Sequence, residues 1–311
     1  QVPQVLRYAL KRILGAIPTL LLVIAIAFLM VHAAPGGPFD SARALPPEIE
    51  ENVRQAYNLD DPLPQQFVRY LDGLWRGDLG PSYRYRDYTV AELIGAALPL
   101  SMWLGAIAML LAVAAGVSAG LIAALKKNTF LDRLVSGVAM IGISVPIFGI
   151  APLMVLVLAV VLGWLPASWA GGSGPGRPLL PVIALALPQI AYIARLTRAS
   201  MINVMGSDFV RTARAQGLST LSIVRYHALT PAMLPLVSYM GPALAGILPG
   251  SVVVEQVFGI PGVGSLFVRQ ALNRDYTVVL GITVFYASLV IMLNLLVDLL
   301  YGFLDPRIRD R

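Results

Sequence analysis

Glu255 and Asp298 are the two ionisable side chains read as falling inside the long apolar stretches of this chain, each near one end of its stretch. A carboxylate there either lines a path for polar cargo or serves its neighbours as a hydrogen-bonded structural group. Both readings stay open for Glu255, whereas Asp298 is read as structural because it can reach the interface or cap nearby backbone. The charge relay that an ion-coupled carrier keeps inside the membrane is otherwise missing. With Cys at 0 and only His32 and His227, no thiolate site, imidazole cluster or metal centre is expected. No GxxxxGK followed by Ser or Thr is present to cradle phosphate, and no HExxH or GxSxG to support hydrolysis. No catalytic residue is expected, and the chain is not read as an enzyme.

The residues that do carry a readable device lie in a polar connection, Asp208-Phe209-Val210-Arg211-Thr212-Ala213-Arg214-Ala215-Gln216-Gly217-Leu218, which continues through Arg225-Tyr226-His227-Ala228-Leu229-Thr230-Pro231. Ser207 or Asp208 is placed to cap the start of a short helix, and Gly217 to supply the left-handed residue that ends it. Small Ala213 and Ala215 would let a partner approach closely while the arginines stay in water. The work implied is mechanical. A short rigid helix held between two membrane spans is a handle by which another protein could move both.

The elements that hold this helix follow from composition. Of 311 residues, 57% are apolar and 13% charged; with Gly counted and Tyr not, the apolar share is roughly 62%, against about 45–50% in soluble domains. A soluble fold would have too little polar surface to cover itself, so the chain is read as an all-α integral membrane protein. Apolar runs fall at about 13–34, 98–125, 134–161, 179–199, 230–254 and 278–303. Each reaches most or all of the way across a core about 30 Å thick at about 1.5 Å per residue. Six transmembrane helices are predicted. The first run is longer than the roughly 7–15 residues of a signal h-region and is read as an uncleaved helix.

The net charge of +6 would suggest nucleic acid in a soluble domain. Here it marks sidedness, because short loops rich in Lys and Arg remain in the cytoplasm. With the N terminus inside, the inner segments hold 14 of the 23 basic residues, Arg195, Arg198, Arg211, Arg214 and Arg225 among them, with four of the 17 acids. The outer segments hold the other nine basic residues and 12 acids, and Asp298 stays within the last span. Both termini are predicted to be cytoplasmic, and no nucleic-acid partner is expected.

The chain then divides into 1–34, an N-terminal cytoplasmic segment with the first span; 35–97, a periplasmic insert; and 98–311, a five-helix core with its cytoplasmic loop at about 200–229. Within the insert, amphipathic helices are predicted at 46–56 and 63–75. Their charged faces are read as solvated, with a docking surface for an external partner as the alternative. A flexible outer loop is predicted over 171–176, which is rich in Gly. Nine prolines fall in or beside the spans, Pro146, Pro188, Pro235 and Pro242 among them. Each interior proline frees a carbonyl that only protein or a water-filled cavity can satisfy. That many breaks suits a conduit that rearranges, although any single one reads more simply as a static kink.

The loop resembles the "EAA" coupling loop of binding-protein-dependent ABC importer permeases, with Gly217 at the glycine of that motif. The whole chain is similar to the first of the two permease subunits of bacterial oligopeptide and dipeptide importers. The likeness runs from Leu6-Arg7-Tyr8 through Ala34-Pro35-Gly36-Gly37-Pro38-Phe39 to Leu304-Asp305-Pro306-Arg307. It is most specific in Arg211-Thr212-Ala213-Arg214-Ala215-Gln216-Gly217 and in Val254-Glu255-Gln256-Val257-Phe258-Gly259-Ile260-Pro261-Gly262-Val263-Gly264. One departure is Arg211, which stands where the general motif has Glu. Gly77-Asp78-Leu79-Gly80-Pro81-Ser82-Tyr83 looks closer to the oligopeptide branch than to dipeptide or nickel importers, or is a structural turn of the insert.

The resemblance implies a type I ABC importer permease fold in the bacterial inner membrane. It implies pairing with a homologous second permease subunit, docking of two ABC ATPase subunits that bind ATP and Mg, and delivery of peptide by a periplasmic or lipoprotein binding protein. ATPase coupling would then fall to Asp208, Phe209, Arg211, Thr212, Ala213, Arg214 and Gly217. Met140, Ser144, Phe148, Tyr239, Met240 and Glu255 would line the translocation path, with lipid-facing or packing roles as the alternative for each. The competing readings are a stand-alone secondary transporter and a membrane scaffold that transports nothing; the coupling-loop pattern argues against both.

Overall fold

The computed structural model describes residues 2–34, 60–85, 87–169, 176–248 and 250–304, the side chains of 2–9, 11 and 298–304 excepted. The helix expected at 46–56, the loop at 171–175 and the Asp298 side chain lie outside the described residues. Helix α1 spans Val2–Ala33, α2 Leu63–Trp75, α3 Val90–Leu125, α4 Phe130–Ser144 and α5 Ile147–Met154, which continues as a π-helical stretch, Val155–Val161. Helix α6 spans Leu179–Met205 and α7 Asp208–Ala215; α8, Thr220–Ile223, passes through a π-helical turn, Val224–Ala228, into α9, Leu229–Ile247. Helices α10, Val252–Phe258, α11, Val263–Leu272, and α12, Tyr276–Leu304, complete the order. Among the described residues the one extended feature is an isolated antiparallel bridge between Pro81 and Thr89.

Five of the described helices are long and apolar enough to cross a membrane: Arg12–Ala33, Val90–Leu125, Leu179–Met205, Thr220–Ile247 and Tyr276–Val297. The sixth is not the straight helix expected at 134–161. It is a pair, α4 and α5 with its π-helical extension, bent by 104°. The cause is local: Val145 precedes Pro146 and is driven into extended backbone, φ −88° and ψ 120°. The apolar run passes through this break without a change in composition, so hydropathy alone could not register it. Two further bounds differ from expectation. The fifth span runs 220–247 rather than 230–254, because the π-helical turn keeps α8 and α9 in one rod. Beyond it, α10 and α11 are each too short to cross about 30 Å at about 1.5 Å per residue.

The chain forms two compact units, residues 1–100 with 261–292 and residues 101–260 with 293–311. In the first, Val90, Ile94 and Ala97 of α3 meet Val263 and Leu266 of α11 and Val278 and Ile282 of α12. Beside them Ile24 and Phe28 of α1 pack on Leu280 and Val284 of α12, covered by Phe67, Tyr70, Leu71 and Leu74 of α2. One face of α2 is thus apolar and inward, as its 63–75 pattern predicts. His32 ties the two helices, with Nδ1 at 2.8 Å from the Phe28 carbonyl oxygen and Nε2 at 3.2 Å from Gln66 Oε1. Burial pushes the Tyr70 phenol well above its usual pKa, so it stays protonated.

Asp275 fixes the turn that follows α2. It is fully buried and accepts hydrogen bonds from Ser82 Oγ at 2.5 Å, Thr277 Oγ1 at 3.0 Å and the amides of Tyr83 and Arg84 at 3.2 Å. The carboxylate therefore ties the insert to the start of α12. Asp275→Ala is expected to leave the buried Ser82 hydroxyl without an acceptor for its proton, although its oxygen still accepts from the Arg84 and Tyr85 amides, costing roughly 1–3 kcal/mol, and to loosen the turn. Limited proteolysis at 76–89 checks this, since cleavage at the wild-type rate would mean that the turn is held by other contacts.

In the second unit α6 is the central helix, with Leu180, Ala184, Leu185, Ile193, Ala194 and Met201 all buried. Helix α3 approaches it through a small-xxx-small pair, Gly116 and Gly120. A Cβ on Gly116 would lie 2.8 Å from Ile193 Cβ, and one on Gly120 would lie 2.8 Å from Thr197 Cβ and collide with the Ala194 carbonyl. Side chains larger than hydrogen are excluded by the close crossing itself.

Candidate functional site

Helix α7 is made by its two ends. At the start, Ser207 does not cap it as the sequence suggests; its hydroxyl instead donates to the Val204 carbonyl at 2.6 Å, closing the end of α6. Asp208 occupies the first turn, where a carboxylate complements the positive end of the helix. At the other end the Gly217 amide donates to the Arg214 carbonyl at 2.9 Å and the Leu218 amide to the Ala213 carbonyl at 3.2 Å. This is the paired closure of a Schellman motif, with Gly217 at φ +82° as its left-handed residue. No atom lies within 4 Å of where a Gly217 Cβ would be. The position requires glycine for its backbone, not for close approach.

One side of α7 is turned into the chain. Val210 and Ala213 are buried against Ile223, with Met205 beside them. Removing the Val210 and Ile223 side chains from water contributes roughly 1.5–3 kcal/mol each, so α7 is held rigidly between α6 and α8. Ala213, expected to admit a partner, faces inward, and that part of the expectation is corrected: of the two alanines only Ala215 is exposed. Asp208, Phe209, Arg211, Thr212, Arg214 and Gly217 are exposed. Arg211 pairs with Asp208 at 3.3 Å with both side chains in water, a contact worth little in stability. Leu221 and Tyr226, 77% and 69% exposed, were missed by the sequence reading. Large apolar residues in a polar connection were the available signal.

Close to this region, α4 and α6 are locked together. Arg198 grips Asp132 with both arms, Nε to Oδ1 at 2.5 Å and Nη2 to Oδ2 at 2.8 Å, and the Asn128 amide donates to the same carboxylate at 2.8 Å. In the sequence these two residues mark only sidedness. They lie 66 positions apart, and nothing local pairs them.

The residues expected to line a path separate into three groups. Met140, Ser144 and Phe148, around the bend between α4 and α5, are exposed. Tyr239 and Met240 on α9 are half-buried; Tyr239 donates its hydroxyl to Gln189 Oε1 at 2.5 Å and stacks on Tyr192 of α6 at 4.2 Å. Glu255 is different. Only 2% exposed, it accepts a hydrogen bond from Ser101 Oγ at 2.7 Å, and Gly250, at φ +103°, lies so close that a Cβ there would strike the carboxylate. In this structure it is enclosed by its own chain, the arrangement that the structural reading expects.

Among the described residues, five helices long enough to span and a broken pair, with a short exposed helix between α6 and the rod of α8 and α9, define the class: a membrane permease of the type I ABC importer fold. The same fold occurs in the inward-facing methionine ABC transporter MetNI, at a TM-score of 0.52 and 18% identity over 67% of this chain and 96% of that one. Residues 116–310 match the family described as binding-protein-dependent transport system inner membrane component, and residues 5–86 match the N-terminal family of the same transport systems. The chain is 52% identical over 304 residues to the oligopeptide transport system permease protein OppB of Salmonella typhimurium, covering 98% of this chain and 99% of that protein. It is 41% identical over 304 residues to the dipeptide transport system permease protein DppB of Bacillus subtilis, covering 97% and 98%. The chain belongs to the binding-protein-dependent transport system inner membrane component family.

Proposed function

We propose that this chain is one of two permease subunits of an ATP-driven oligopeptide importer in the bacterial inner membrane, with both termini in the cytoplasm. The observation that carries the reading is the 52% identity, across nearly all of both chains, with an oligopeptide permease. In this reading a homologous second permease completes the conduit and a binding protein delivers peptide from outside. Two ATPase subunits, which bind ATP and Mg, dock on α7. Closure of the ATPase pair moves α7, and through it α6 and the rod of α8 and α9. Each ligand shifts the inward-outward equilibrium only by its differential affinity for the two states. This chain performs no chemical step of its own.

Affinity purification of the tagged chain in mild detergent, with mass spectrometry of what stays bound, tests the reading. A second permease and ATPase subunits are expected to copurify, and peptide is expected to stimulate hydrolysis by the complex. Recovery of the chain alone, with uptake driven by an ion gradient, would make it a secondary transporter instead.

A further inference from the structure

Helix α6 is open along a single line. After Leu179 its only exposed residues are Tyr192, Arg195, Ala199 and Asn203, at spacings of three, four and four, which is one face of an α-helix. Gln189, one turn before, is half-buried beside them. The face is polar and carries a full positive charge. Arg195, counted by charge among the cytoplasmic segments, lies on helix Leu179–Met205 toward the inner end of its apolar run, one turn before Arg198. It has no hydrogen-bond or ion-pair partner among the described residues.

Hydrocarbon does not accept such a face. A guanidinium toward the inner end of a span reaches a water-filled cavity or the interface, and the half-buried Gln189 amide, six residues earlier on the same helix, needs a polar surface within the span itself. Hydroxyl and amide groups favour the interface over mid-membrane lipid. Tyr192 and Tyr239 are held in place by stacking, and Tyr239 occupies Gln189 Oε1, so the Gln189 amide is fixed with its Nε2 donors uncommitted. Toward the peptide the stripe therefore offers fixed N–H donors and a cation. Those groups fit an anionic or carbonyl-rich ligand and repel an ammonium.

We propose that the α6 stripe is a peptide subsite in which Arg195 pairs with the carboxylate at the peptide's C-terminal end while Gln189 and Tyr192 engage its last main-chain carbonyl and adjoining side chain. This rests on the peptide-importer reading above. Peptides of different sequence share only their main chain and two ends, so a permissive path can recognise them only there. Of the two ends, the negative one suits a guanidinium, which grips a carboxylate bidentately.

The test uses the complete transporter in proteoliposomes with its own binding protein. Uptake is compared for one peptide with a free C-terminal carboxylate and the same peptide as its C-terminal amide. The binding protein is identical throughout, so a change in the carboxylate-to-amide ratio of kcat/KM belongs to the permease. Arg195→Gln is expected to lower that ratio by about tenfold, mostly through KM, the loss of a charged hydrogen bond. Arg195→Lys should retain much of it.

An unchanged ratio in Arg195→Gln, with both peptides still imported, overturns the subsite and leaves the importer reading standing. No peptide uptake by the wild-type transporter overturns both. Should Arg195→Gln fail to assemble, Tyr192→p-benzoylphenylalanine decides. A light-induced crosslink to labelled peptide, displaced by unlabelled peptide, supports the subsite; crosslinks to lipid or the second permease alone overturn it.

Discussion

Gly120→Val should prevent stable assembly of the permease. A Cβ at this position strikes the Ala194 carbonyl and lies 2.8 Å from Thr197 Cβ and 3.1 Å from the Arg198 amide nitrogen. Two of these three are backbone atoms in the middle of α6, which cannot turn aside as a side-chain tip would. The helices must separate, and Gly116, one turn earlier and 2.8 Å from Ile193 by the same measure, loses its contact with them. In a membrane, where packing rather than water expulsion holds helices together, a gap along this seam is not recovered elsewhere. Overpacking of this kind costs typically about 1–3 kcal/mol, and more where rigid atoms meet. Gly246→Ala is the matched control, because nothing lies within 4 Å of its Cβ. Detergent-extracted yield and thermal unfolding of both variants provide the check. A Gly120→Val protein as monodisperse and heat-resistant as wild type would show that the seam is softer than its geometry implies.

Gly217→Val should instead leave an assembled protein that transports poorly. There is open space around the position, so the penalty is conformational: an L-residue at φ +82° costs about 1–2 kcal/mol, and a β-branched one more. That is enough to undo the two hydrogen bonds that close α7 and to let its last turn fray. Under the proposed function the ATPase subunits grip that turn, so peptide uptake should fall by an order of magnitude or more while the chain still inserts and pairs with its second permease. Gly217→Asn, tolerated in the left-handed region, should recover a good part of the activity. Normal uptake and normal peptide-stimulated hydrolysis in Gly217→Val would remove α7 closure from the coupling mechanism.

The crossings were legible from apolar runs because length and composition are all that a span requires. Helix α7 was legible from Gly217, whose left-handed backbone few other residues tolerate. What sequence could not show was long-range: Arg198 on Asp132, Ser82 on Asp275, and Ser101 on Glu255 each join positions whose separation carries no local pattern. The break at Pro146 was visible as a proline, but its magnitude depends on what packs beyond it. Two features were missed although a signal existed. Val210 and Ala213 share a helical face, which would have turned Ala213 inward, and the spacing of Tyr192, Arg195, Ala199 and Asn203 marks a stripe that counting charges by sidedness conceals.

The unbroken course of the chain from Thr220 to Ile247 has a geometric consequence for how such a conduit opens. Twenty-eight residues at about 1.5 Å each make a rod roughly 42 Å long. It is rooted beside α7 through Ile223, which packs on Val210 and Ala213. Swinging such a rod by about 5° at its root displaces its far end by roughly 4 Å, comparable to the breadth of an amino-acid side chain. Under the proposed function the aperture would then be governed by an angle rather than a stroke: sub-ångström adjustments at the root become residue-sized clearances at the opposite end. A gate worked by rotation in this way has no fixed bore, and its width can follow the bulk of whatever cargo stands in it.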